Sequence, residues 1–134
     1  RCSSFKETIE KKGPGGVKLT IDYPETIAAS YKAALSALRE KDRPDVIFCM
    51  GDMILIGVMY AVHELKLKVP GDIGIIGISN GLFPTMYDPK ITYVETSGYK
   101  LGKLAFSQML GRLKNESPQE EVTLESVLVN GGSL

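Results

Sequence analysis

Short polar side chains follow two apolar segments of the chain, and their chemistry suits the binding of a small polar molecule. Met50-Gly51-Asp52 comes after the first segment, and Ser79-Asn80 comes after the second. Carboxylate, hydroxyl and amide groups between them donate and accept hydrogen bonds, so such a set can hold a ligand's hydroxyl or amide groups. Asp52 is also suited to cap a following helix, and Ser79 and Asn80 are common turn residues. Both interpretations stay open at this point.

The sequence lacks the usual residue patterns of catalytic sites that make or break covalent bonds. His63 is the only histidine and falls inside a predicted helix, so no catalytic triad can be argued. Cys2 and Cys49 have no metal-ligand spacing. Gly74 and Gly77 lie within a predicted strand, and no phosphate-binding glycine loop opens a helix. We therefore expect no enzyme activity, no cofactor and no metal site.

Composition indicates one folded domain with no global affinity for nucleic acid. The 134 residues suffice for one domain, and 43% hydrophobic residues with 24% charged ones argue against disorder. Lysine plus arginine and aspartate plus glutamate each number 16, so the formal charge is zero and no field attracts DNA.

Cysteine usage and hydropathy both favour a cytoplasmic protein that does not cross a membrane. Cys49 lies in the apolar segment Val46–Met50 and is interpreted as a buried, reduced thiol, which fits the cytoplasm. A disulfide with Cys2 is the alternative that the sequence leaves open. No apolar stretch approaches the roughly 18 residues of a transmembrane helix, and no signal peptide is visible.

The elements that must position the polar residues alternate between helix and strand. This order predicts an α/β fold with a mostly parallel sheet and helices on both faces. In such sheets ligands bind beyond the carboxyl ends of the strands, where Asp52 and Ser79 fall. The predicted helices are Phe5–Lys12, a helix opened by Pro24 and Glu25, Met53–Leu65, and one capped by Ser97 that runs to Lys114; the predicted strands are Val17–Ile21, Asp45–Met50, Asp72–Ile78, Ile91–Thr96 and Val122–Val129, with a loop over Ser79–Pro89 and a Gly-Gly tail.

Apolar spacing predicts which helix faces are buried. The helix after Pro24 places its apolar residues on one face, and the helix of residues 53–65 is apolar almost all round, so we expect heavy burial. That helix, or residues 73–78 with the following loop, is a candidate homodimer contact. The first of these faces consists of Ile27, Tyr31, Ala34, Leu35 and Leu38, and the expected inner face of the last helix consists of Leu101, Leu104, Ala105 and Leu113.

Three segments resemble the lactose-repressor (LacI/GalR) family of transcriptional regulators, in the family's order and spacing. Residues 44–57 resemble the pattern P-D-A-I-F-x-x-N-D-x-x-A-x-G, and residues 67–77 resemble G-x-x-V-P-x-D-I-x-V-x-G. Residues 89–94, followed by Leu101-Gly102 and Ala105, resemble P-x-L-T-T-V … L-G … A. The resemblance covers nearly the whole chain.

The resemblance implies a periplasmic-binding-protein-like (type I) fold of two lobes around a cleft. Residues 1–134 would then be an effector-binding domain fragment, with most of the C-terminal lobe and elements that cross to an N-terminal lobe. It also implies a small-molecule effector such as a sugar, a homodimer, and operator DNA bound through a domain that lies before Arg1. No membrane partner is expected.

The resemblance also assigns residues to the effector site. Arg1 matches an arginine that commonly contacts effector, and Gly51 stands where the pattern has asparagine. Ser79 and Asn80 stand where the family often has two aspartates, which implies a more neutral effector, a different one or none. Tyr23, just before a helix, can offer an aromatic surface on which a ring stacks. The candidate effector-binding residues are Arg1, Tyr23, Gly51, Asp52, Ser79 and Asn80.

Two other functions share this fold class and remain alternatives. A periplasmic sugar-binding protein of an ABC transporter has the same fold, although the V-P-x-D-I element at Val69–Ile73 favours the regulator. Upstream sequence distinguishes them, since a transport protein would carry a signal peptide there and a regulator a helix-turn-helix. An α/β enzyme is the third hypothesis, which the missing catalytic patterns disfavour.

Overall fold

A computed structural model describes residues 7–8, 10–11, 26–114 and 122–134, and its elements alternate as expected. No helix in these ranges is long and apolar enough to cross a membrane. Of the predicted first helix, residues 7, 8, 10 and 11 are described and are helical, whereas the predicted strand Val17–Ile21 lies outside the described residues. The elements are α1 (Ile27–Arg39), β1 (Val46–Cys49), α2 (Asp52–Glu64), β2 (Gly74–Ser79), a 3-10 helix (Phe83–Met86), β3 (Thr92–Glu95), α3 (Gly98–Leu113) and β4 (Val127–Val129).

The four strands form one sheet in the order β1-β2-β3-β4. The first three are parallel, with Cys49 beside Gly77 and Ser79 beside Glu95, and β4 runs antiparallel to β3. The prediction of a mostly parallel α/β sheet is therefore confirmed. The final strand is shorter than predicted, because residues 122–126 are not paired in the sheet.

The core lies between the sheet and the helix pair α1–α2. Ile47 is paired with Ile75, and both pack in this core together with the wholly buried Leu55 of α2. Cys49 is free and fully buried, as expected from its apolar segment. Burial raises the pKa of this thiol to about 12, because an apolar surrounding disfavours the thiolate. Cys49 is thus a packing residue without nucleophilic character.

Helix α1 buries the face that its spacing predicts and packs closely on α2. Thr26 caps α1, and Ala34 and Leu38 are buried while Tyr31 and Leu35 pack beside them. The contact is closest at Gly57 of α2, where an added Cβ would lie 2.5 Å from the Cβ of Ser30 and 2.6 Å from the carbonyl oxygen of Ile27.

One predicted burial pattern is wrong for the described chain. Helix α3 begins after its Ser97 cap as predicted, yet it has no buried residue, and both Leu101 and Leu113 of its expected inner face are exposed. Helix α2 is heavily buried as expected, although Met53 and Tyr60 on its outer face are more than half exposed. Its buried residues are Leu55, Gly57, Val58, Ala61 and Val62. Apolar periodicity predicts which side of a helix is apolar. Whether another element covers that side depends on the rest of the fold.

The C-terminal tail acts as a clamp at the edge of the sheet where the parallel strands begin. This edge lies opposite the one where they end. Ser133 is fully buried; its hydroxyl accepts a hydrogen bond from the N–H of Thr92 at 2.8 Å and donates to the carbonyl of Ile75 at 2.5 Å. The N–H of Ile75 donates to the carbonyl of Ser133 at 2.8 Å. The tail therefore ties the starts of β2 and β3 together.

Candidate functional site

The carboxyl ends of three parallel strands meet at one edge of the sheet. The pairings of Cys49 with Gly77 and of Ser79 with Glu95 bring the loops after β1, β2 and β3 side by side. The N–H of Thr96 donates to the carbonyl of Ser79 at 2.9 Å, which joins two of these loops directly. The predicted residues Gly51, Asp52, Ser79 and Asn80 therefore lie at the same edge, where open parallel sheets bind ligands.

Asp52 is not the helix cap that its sequence position suggested. Gly51 occupies the N-cap position of α2, and Asp52 is the first helical residue, with no side-chain cap hydrogen bond in this turn. Its Oδ1 atom is buried and has no hydrogen-bond partner within the described chain. Free N–H groups of a first helical turn attract negative charge, which accounts for a carboxylate here. An unpaired buried acceptor is costly, so this oxygen is available to a donor from a ligand.

Ser79 and Asn80 form the turn that ends β2. Ser79 is the last residue of the strand rather than the first of the loop, and it is buried. Its hydroxyl oxygen accepts a hydrogen bond from the N–H of Gly81 at 3.0 Å. The exposed Asn80 accepts one from the N–H of Leu82 at 3.2 Å through Oδ1. Both side chains thus shape the turn, as the alternative interpretation of these residues anticipated.

Tyr93 of β3 supports this turn from below, a role that the sequence did not reveal. The side chain is 8% exposed, and its hydroxyl lies 3.0 Å from where a Cβ would sit on Gly81. Gly81 has a φ of 98°, in the region that favours glycine. The lactose-repressor family pattern has threonine at this position of β3. The larger tyrosine was the one sequence feature that could have indicated this contact.

Two predicted residues cannot be placed at the site, because Arg1 and Tyr23 lie outside the described residues. A cavity of about 20 Å³ opens near the end of β3, which is room for one water molecule and too little for a sugar. No group of three metal-ligating side chains occurs in the described ranges. The cavity is lined by Glu95, Ser97, Lys100, Leu124, Glu125 and Val127.

Residues 1–134 all match the model of a family described as periplasmic binding protein-like domain. The chain belongs to the periplasmic binding protein-like domain family. An HTH-type transcriptional repressor PurR of Proteus mirabilis is 39% identical to this domain over 88 residues, which are 66% of the chain and 26% of the relative. The domain therefore spans about a quarter of that relative's length.

Solved structures place the domain among LacI family regulators. One from Bifidobacterium animalis subsp. lactis has a TM-score of 0.86 at 22% identity, over 99% of this chain and 48% of that one. Another, from Arthrobacter sp. FB24 in complex with lactose, has a TM-score of 0.72 at 26% identity, over 81% of this chain and 41% of that one. The LacI/GalR resemblance and the fold that it implied are confirmed, and a regulator is favoured over a transport protein.

Proposed function

We propose that this domain senses a small polar effector for a LacI/PurR-type transcriptional regulator and controls operator binding through a DNA-reading domain elsewhere in the polypeptide. The observation that carries the proposal is the convergence of three parallel strand ends around Asp52, whose buried Oδ1 has no partner among the described residues. The known relatives support it, since they are transcriptional repressors rather than enzymes. We expect the protein to act in the cytoplasm, where operator DNA is found.

The proposed site holds the effector between this edge of the sheet and a second lobe. Asp52 accepts hydrogen bonds from the effector, the Gly51 backbone leaves space beside it, and the turn of Ser79 and Asn80 forms the neighbouring wall. Arg1 and Tyr23 are included on the family resemblance alone. The lactose bound to the Arthrobacter regulator supports a sugar-sized effector.

Coupling to DNA follows from differential binding. An effector changes operator affinity only to the extent that it binds one arrangement of the two lobes more tightly than the other. Effector binding and the change in operator affinity can both be measured on the same protein. We would titrate the full-length protein with lactose and with nucleobases by calorimetry. The same compounds would then be added to its complex with DNA selected from a random library. A compound that binds and changes DNA affinity supports the proposal, whereas no response across the panel contradicts it.

Asp52→Asn tests the site itself. The amide keeps the shape of the side chain but loses the charge, so we expect affinity for a bound compound to fall about tenfold or more, in line with the loss of a charge-assisted hydrogen bond. Asp45→Asn is the matched control, because Asp45 is exposed and precedes the opposite end of β1. Equal affinity in both variants would remove Asp52 from the site.

A homodimer contact is proposed where apolar side chains remain exposed beside one another. Met53 and Tyr60 on the outer face of α2 are 51% and 60% exposed, and the neighbouring turn adds Leu82 and Met86 at 54% and 66%. Helix α2 and the 3-10 helix that contains Met86 are in contact, so these exposed side chains belong to neighbouring elements. A second copy of the chain fits this set of side chains, since a self-complementary apolar patch makes a two-fold interface.

The dimer proposal predicts that a charge in this patch separates the subunits. Met86→Glu should weaken dimerisation at least tenfold in the full-length protein, because it buries an unpaired carboxylate. Sedimentation at several concentrations measures the change. Ser36→Glu, at an exposed position of α1, adds the same charge outside the patch and should leave the dimer intact. Dimers of equal affinity in both variants would place the interface elsewhere.

A further inference from the structure

Each of the two polar side chains in the turn after β2 accepts a backbone hydrogen bond from within the turn. The hydroxyl oxygen of Ser79 accepts from the N–H of Gly81 at 3.0 Å, and Oδ1 of Asn80 accepts from the N–H of Leu82 at 3.2 Å. Ser79 is 3% exposed, so it has little surface for an effector. The exposed side-chain group of this turn that no described residue uses is the amide nitrogen of Asn80.

The orientation of the Asn80 amide follows from the turn. A backbone N–H can face only an acceptor, so the oxygen must point at Leu82 and the NH₂ group must point away from it. Asn80 is exposed, and its Nδ2 makes no hydrogen bond to any described residue. At this position the domain thus offers two unused hydrogen-bond donors.

The turn is held in this orientation by its surroundings. Gly81 adopts a φ of 98°, and the hydroxyl of Tyr93 lies 3.0 Å from the position of an added Cβ. The carbonyl of Ser79 is fixed from the side by the N–H of Thr96 at 2.9 Å. Because the loop is supported on two sides, turning the amide over would break the Leu82 bond without a replacement.

We propose that Asn80 is a specificity-determining residue of the effector site, and that its Nδ2 donates to a hydrogen-bond acceptor on the effector. The effector class is a small polar molecule with a carbonyl or carboxylate oxygen, or an unprotonated ring nitrogen, facing this turn. An aspartate pair, which the family resemblance has here, would select for hydroxyl and amine donors instead. The inference rests on the proposed function and defines the chemistry of one side of that site.

The test compares matched compounds that exchange an acceptor for a donor at one position. Glucuronate and 6-amino-6-deoxyglucose form one pair, and galacturonate and 6-amino-6-deoxygalactose form the other; the members of each pair differ only at C6. In calorimetric titrations of the full-length protein, we expect the acceptor-bearing member of at least one pair to bind about tenfold more tightly, as one hydrogen bond to a charged or strongly polar group provides.

Asn80→Asp tests the donor group of Asn80 independently of its hydrogen bond within the turn. Its carboxylate keeps an oxygen for the Leu82 N–H but replaces the NH₂ group with an acceptor, so the preference should vanish or reverse. Asn130→Asp makes the same change at an exposed position of the C-terminal tail and should behave as the unaltered protein. Should Asn80→Asp fail to fold, Asn80→Ala removes the donor without adding charge and should bring the two affinities within about twofold.

The outcomes distinguish this inference from the proposed function. A preference for the donor-bearing compounds, or an acceptor preference unchanged by both Asn80 variants, overturns the role of Asn80 and leaves effector sensing intact. Failure of the unaltered protein to bind any of the four compounds, lactose or the nucleobases overturns both. An acceptor preference lost only in the Asn80 variants supports the inference.

Discussion

At the scale of single residues, side chains with unusual hydrogen bonding mark both the site and the stability of the domain. Asp52 carries a buried oxygen without a partner in the described chain, whereas Ser133 is buried with both its donor and its acceptor satisfied. The first arrangement costs stability and suits a ligand, and the second contributes stability without any ligand. Burial alone therefore does not identify a functional polar residue, since Ser133 is buried in a structural role.

Ser133→Ala should destabilise the domain. The substitution leaves the N–H of Thr92 and the carbonyl of Ile75 with no side-chain partner in the interior, which costs about 1–3 kcal/mol. Urea unfolding measures the loss. Ser126→Ala, at an exposed position before β4, should change the free energy of unfolding by less than about 0.5 kcal/mol. Equal effects of the two substitutions would show that the tail is not a clamp.

Sequence reasoning reached these residues unevenly, for a physical reason. Asp52 and Asn80 were found because polar residues after buried strands have a predictable place in parallel sheets. Ser133 was missed because a Gly-Gly-Ser tail has no periodicity, and its burial depends on contacts 41 and 58 residues away. Tyr93 was missed because nothing local shows that its hydroxyl reaches Gly81.

At the scale of elements, the helices and parallel strands were predictable and their outer surfaces were not. The apolar segments of β1 and β2 and the one-sided helix α1 reflect local burial, so the sequence pattern predicted them. The ends of α3 were also predicted, because Ser97 caps it through the N–H of Lys100 at 3.2 Å. The exposure of α3 was not predicted, because an apolar helix face does not show whether another element covers it.

Gly57→Ala should weaken the packing of α1 on α2. A methyl group there meets the backbone N of Tyr31 at 2.7 Å and the Ser30 side chain at 2.5 Å, so the helices must separate at a cost of about 1–3 kcal/mol. Gly102→Ala in α3 is the matched control, because its Cβ meets nothing within 4 Å and alanine favours a helix by about 1 kcal/mol. Thermal unfolding should therefore shift in opposite directions, and a shared direction would contradict the close helix contact.

At the scale of the whole molecule, α3 has no buried residue and presents several exposed apolar side chains. Residues at alternating spacings of three and four line one side of α3, among them Tyr99, Phe106, Met109 and Leu113. We propose that this side packs on a second lobe of the polypeptide, consistent with the expected elements that cross between lobes. The domain matches only 48% of the Bifidobacterium regulator, which leaves such a lobe room in that architecture.

Phe106→Lys in the full-length protein tests whether a second lobe covers this side of α3. A charge introduced at the centre of the apolar side should lower the free energy of unfolding by about 2–4 kcal/mol if a second lobe covers it. Ser107→Lys, one residue along and beside Lys103, should cost less than about 1 kcal/mol. Indistinguishable unfolding of the two variants would mean that this side of α3 faces solvent.

The central claim is that effector binds at the edge of the sheet where β1, β2 and β3 end. Backbone amide chemical shifts of the full-length protein, followed by NMR during titration with a compound that calorimetry has shown to bind, test it most directly. We expect the largest shifts at residues 50–53, 79–82 and 95–97, with little change at Ile73 and Ser133 on the opposite edge. Shifts centred on that opposite edge, or on the outer face of α2, would contradict it.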